Sequence, residues 1–122
     1  MVESVVIICD KSPIGKNSAI EAIRLGSGFM GLGEELDCKI LITGDAVYTL
    51  SKYAEPSAIG MDSYEEPLEM ADLSDLALKV LDTALDVAGL TANDLIEYEN
   101  LSIITQEELA KIIDGASTCF HY

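Results

Sequence analysis

Val5 to Cys9 is an unbroken apolar run, and the chain leaves it through a turn-rich segment containing Pro13 and Gly15. Such a run fits a strand buried on both faces, as in a parallel sheet, because neither face shows the polar alternation that water imposes. Ser18-Ala19-Ile20-Glu21 has the spacing of a capping box, in which the serine hydroxyl covers a free backbone N–H and the glutamate reaches back to the cap. A helix is expected from there. Ile20, Ile23 and the Phe29/Met30 pair return at helical spacing, but Gly26, Gly28, Gly31 and Gly33 interrupt the pattern. Each glycine costs up to about 1 kcal/mol relative to alanine inside a helix. Their presence points to close backbone packing against the sheet or a neighbouring subunit, or, for Gly31 and Gly33, to the helix end.

Cys38 to Thr43 is a second apolar strand, followed by Gly44-Asp45 and a helical stretch from Ala46 to Lys52. Cys38 starts its strand, which in a parallel sheet is the end away from Cys9, and it is read as structural. Pro56 to Pro67, with Gly60, Asp62, Ser63 and several acids, has the composition of an exposed loop. Leu73 to Leu90 allows two readings. Leu73, Leu76, Ala77, Val80, Ala84, Val87 and Ala88 make one helical face, so periodicity and length favour a single helix. Alternatively, Leu76 to Leu81 is a strand and Asp82 to Ala88 a short helix closed by Gly89. Thr91 to Glu99 reads as a connection and Leu101 to Ile104 as a strand. Thr105 to Glu108 repeats the capping-box pattern and opens a helix to Ile113, Asp114-Gly115 stops it, and Ser117 to Tyr122 is a last strand. Strands alternating with helices are the signature of a parallel α/β sheet with right-handed crossovers.

The 122 residues make one domain. No apolar segment approaches the roughly 18 residues that cross a bilayer, and Met1-Val2-Glu3 opens with no basic leader, so a cytoplasmic protein is expected. Twenty-two acidic against seven basic side chains give a net charge of -15, which repels a phosphate backbone and argues against direct nucleic-acid binding. Cys9, Cys38 and Cys119 are widely spaced and form no CxxC pair, so neither a disulfide framework nor a zinc knuckle is indicated.

In open α/β sheets, ligands bind beyond the carboxyl ends of the strands, which makes Cys9, Asp10, Lys11 and Ser12 the first residues to question. Cys119 and His121 are two apart and share one face of a strand. Should that strand neighbour the first, the same crevice receives Cys9, and a thiol pair or Cys/His metal site becomes conceivable. Asp10 and Asp45 are a weaker magnesium pair. Residues 12–18 have one glycine where a phosphate loop has two at fixed spacing. No G-x-S-x-G elbow surrounds Ser12.

The cluster Cys9 to Gly15, the helix Ala19 to Arg24 with its glycine-rich tail, the segment Thr43-Gly44-Asp45-Ala46-Val47 and the strand-like tail resemble the DsrE/DsrF-like family, and within it the DsrF and TusC type of sulfur-relay subunit. The resemblance runs nearly end to end. It implies a three-layer α/β/α fold with a five-stranded parallel sheet, the first strand lying between the second and the fifth. It also implies the strand Leu76 to Leu81 followed by a short helix, and that reading is adopted. In the family, the DsrE or TusD type of subunit carries sulfur as a persulfide on a cysteine near the end of the third strand. The matching stretch here, Lys79 to Thr83, has no cysteine.

The expected role is a non-catalytic subunit of a cytoplasmic sulfur-relay assembly, with DsrE-like and DsrH-like partners, no membrane contact and no cofactor. One alternative is an autonomous persulfide carrier, or homo-oligomeric thiol enzyme, using Cys9 and Cys119. Lys11 and a nearby helix start would favour the Cys9 thiolate that such a carrier needs. The other is a module binding a small anion or nucleotide in a crevice formed by Asp10, Lys11, Ser12, Gly15 and His121.

Overall fold

The computed structural model describes residues 3–12, 18–32, 36–54, 56 and 63–122. Its five parallel strands are β1 (Glu3–Cys9), β2 (Leu36–Ile42), β3 (Ala77–Leu81), β4 (Leu101–Ile104) and β5 (Thr118–His121). They lie in the order β4-β3-β2-β1-β5. The helices are α1 (Ser18–Met30), α2 (Glu65–Leu73), α3 (Asp82–Ala88) and α4 (Gln106–Asp114). β1 pairs with β2 on one side and β5 on the other, and Val5, Val6, Ile7 and Cys9 are all buried, as the unbroken apolar run requires.

Alternation along the strands assigns the faces. A Cβ added to Gly26 of α1 would stand 2.9 Å from Ile40 Cδ1, and the Phe29 ring stacks on Phe120 with centroids 6.2 Å apart. α1 therefore covers the face that carries Val5, Ile7, Cys9, Ile40 and Phe120, and α2 packs beside it. The steps β1 to β4 all run one way and the return to β5 runs the other, so right-handed connections place α4 on the opposite face. The result is the expected three-layer α/β/α sandwich.

The ambiguous segment resolves as the strand reading. α2 ends at Ser74, Asp75 takes a left-handed φ of 59°, and β3 follows with Leu78 and Val80 buried on one face. α3 then closes on Gly89 at φ 74°. The helical face read across Leu73 to Leu90 is thus assembled from three elements. Two other expectations are corrected. The stretch after β2 is a 3₁₀ helix, Gly44–Leu50, and the supposed loop ends inside α2. Glu65 and Glu66 occupy the first turn of α2, where acids complement the helix dipole, and Pro67 belongs to the same turn, where its missing N–H costs nothing. Residues 57–62 of that loop, and Gly33, lie outside the described residues. Gly26 owes its place to close packing on the sheet, whereas a Cβ on Gly28 would meet nothing within 4 Å. Among the described residues, no helix is long and apolar enough to cross a membrane.

Candidate functional site

The carboxyl ends of β1, β2 and β5 meet at Asp10. Thr43 donates its backbone N–H to the Cys9 carbonyl at 2.9 Å, and Tyr122 donates to the Ile8 carbonyl at 2.8 Å, which draws both neighbouring strands against the end of β1. Gly44 follows at a φ of 52°, with its Cβ position 3.1 Å from the Asp10 carbonyl oxygen. Glycine is required there by both conformation and space.

His121 Nε2 lies 2.9 Å from Asp10 Oδ2, and Lys11 Nζ lies 3.6 Å from Oδ1. Partial desolvation of the Asp10 carboxyl, which opposes ionisation, is outweighed by the His121 hydrogen bond and the charges of His121 and Lys11, so its pKa falls below the usual carboxylate value. Asp10, Lys11 and His121 thus form one polar cluster at the strand ends, with Ser12 half-buried beside it in sequence. Gly15 lies outside the described residues.

Cys9 does not join this cluster. It pairs in register with Ile42 and points to the α1 face, whereas Cys119 and His121 pair with Val6 and Ile8 and point to the other. The expected crevice shared by Cys9, Cys119 and His121 is therefore not assembled, because strand adjacency brings residues of opposite parity to opposite faces. Among the described residues, no group of three or more His, Cys, Asp or Glu side chains is arranged to hold a metal ion. Cys9 is 1% exposed, and burial, then the Asp10 charge, push its thiol from 9.0 to about 12. This reverses the thiolate-favouring environment expected from Lys11. Cys38, also buried, is pushed up to about 11, first by burial and then by Asp37, against a smaller opposing effect of Lys39. Cys119 is exposed.

A crevice of about 300 Å³ opens beyond the ends of β2 and β3. Thr43, Gly44 and Asp45 form one wall, and Leu81, Thr83, Ala84 and Val87 the other. This is where β3 ends: Leu81 and Thr83 line the crevice, and Asp82 between them opens α3, its carboxylate accepting the Thr83 N–H at 2.7 Å. No thiol lines it.

Sequence reasoning did not anticipate a larger cavity of about 580 Å³ between α2, the end of the 3₁₀ helix and the segment before β4. Its signal was the spacing of Glu65, Glu69 and Asp72, which share one helical face once α2 is recognised as a helix.

Residues 3–120 match the model of the DsrE/DsrF-like family. The chain is 28% identical over 105 residues to the intracellular sulfur oxidation protein DsrF of Allochromatium vinosum, covering 85% of this chain and 76% of the relative. Among solved structures, the ychN protein of E. coli superposes with a TM-score of 0.81 at 22% identity, covering 99% of this chain and all of that one. A Methanobacterium thermoautotrophicum protein of unknown function, MTH1491, superposes with a TM-score of 0.72 at 13% identity, covering 98% of this chain and 99% of that one. Both likenesses establish the fold. With a family model matched almost from end to end and the sheet order that the family implies, the chain belongs to the DsrE/DsrF-like family.

Proposed function

We propose that this protein is a non-catalytic subunit of an intracellular sulfur-relay assembly, in which DsrE-like and DsrH-like partners pass sulfur as cysteine persulfide and this chain contributes binding surface. The observation that carries the reading is the end of β3. It carries Leu81, Asp82 and Thr83 and no cysteine, in the stretch that the resemblance aligns with the carrier cysteine of the DsrE type, and the family matches the chain along residues 3–120. The similarity to DsrF, a protein named for sulfur oxidation, supports the subunit type.

Persulfide transfer is attack by a thiolate on a sulfane sulfur, forming a new S–S bond as the donor sulfur leaves as thiolate. Cys9 and Cys38 are buried with raised pKa values, which opposes both access and ionisation. Cys119 is exposed and is the position through which autonomous carriage would run. The test is the intact mass of the purified chain after exposure to a cysteine desulfurase and cysteine, with a DsrE-like protein as positive control. The expected result is no added sulfur on this chain while the control loads. Stoichiometric loading that prior alkylation or Cys119→Ser removes would overturn the non-catalytic assignment in favour of a carrier.

A further inference from the structure

We draw no further inference here: the strongest candidate, the outer edge of β5, where Thr118, Cys119, Phe120 and His121 are all exposed at the end of the sheet, carries nothing, because nothing in the structure shows what covers it.

Discussion

The reactivity of each thiol here follows from the parity of its strand position. Cys9 occupies the last buried position of β1 on the α1 face, and the pKa of about 12 measures how poorly that site tolerates a thiolate. The consequence for stability has a definite sign. The unfolded chain ionises this thiol near 9.0, whereas the folded chain keeps its proton until about 12. Between those values the folded state binds more protons, so stability falls as pH rises, by up to about 1.4 kcal/mol per pH unit per thiol. Cys38, raised to about 11, adds to the loss over the lower part of that window. Urea unfolding at pH 8 and pH 10 should therefore show a marked alkaline loss, and Cys9→Ala, although less stable at pH 8, should show a shallower one. Parallel losses in the two proteins would mean that the Cys9 thiol is not held neutral by the fold.

Two positions distinguish what holds the helices in place. In α4, Thr105 accepts the Glu108 N–H and Glu108 reaches back to the Thr105 N–H, the reciprocal cap that the sequence announced. In α1, Gly26 leaves no room for a side chain: a Cβ would sit 2.9 Å from Ile40 Cδ1 and 3.0 Å from Leu76 Cδ2. Thr105→Ala should cost about 1 kcal/mol by cap loss. Gly26→Ala, despite the better helix propensity of alanine, should cost about 1–3 kcal/mol by overpacking, and Gly28→Ala should be neutral or stabilising. Chemical denaturation of the three variants checks the order, and a stable Gly26→Ala would show that α1 can shift on the sheet. The same contrast explains what was legible in the sequence. β1, β4, β5 and α4 were readable because apolar runs and the Thr105–Glu108 box are local signals. α1 was readable from its apolar spacing, although Ser18 is its first helical residue rather than its cap and Glu21 pairs with Arg24 instead of closing the expected box. α2 was missed because Glu65, Glu66 and Pro67 have a loop's composition while serving as a helix first turn, and β3 needed the family resemblance because Leu76 to Leu81 keeps both periodicities. At the site, the Asp10 and His121 pair was foreseeable from the strand order. Separation of Cys9 from Cys119 depends on pairing register, and sequence alone leaves register unspecified.

For the molecule as a whole, a net charge of -15 on 122 residues is a standing self-repulsion, and among the described residues the ion pairs are few, with Arg24–Glu21 and Lys111–Glu107 exposed. Salt therefore acts on this chain in two opposed ways. Screening shortens the reach of the repulsion to about 10 Å at 0.1 M and less above it, so raising the salt from 0.05 to about 0.5 M should raise the melting temperature of the isolated subunit. In the proposed assembly, an acidic subunit is drawn to partner faces of opposite sign, and screening weakens that attraction and slows encounter. The association of this chain with DsrE-like and DsrH-like partners should accordingly loosen over the same salt range that stabilises the free subunit. Differential scanning fluorimetry on the chain alone and affinity measured by interferometry on the mixture read the two effects separately. Association that tightens with salt would place apolar surface, such as the exposed Val87 and Leu73, at the centre of the interface. A melting temperature that falls with salt would mean that the acidic surface is locally compensated within the fold, in spite of the overall charge.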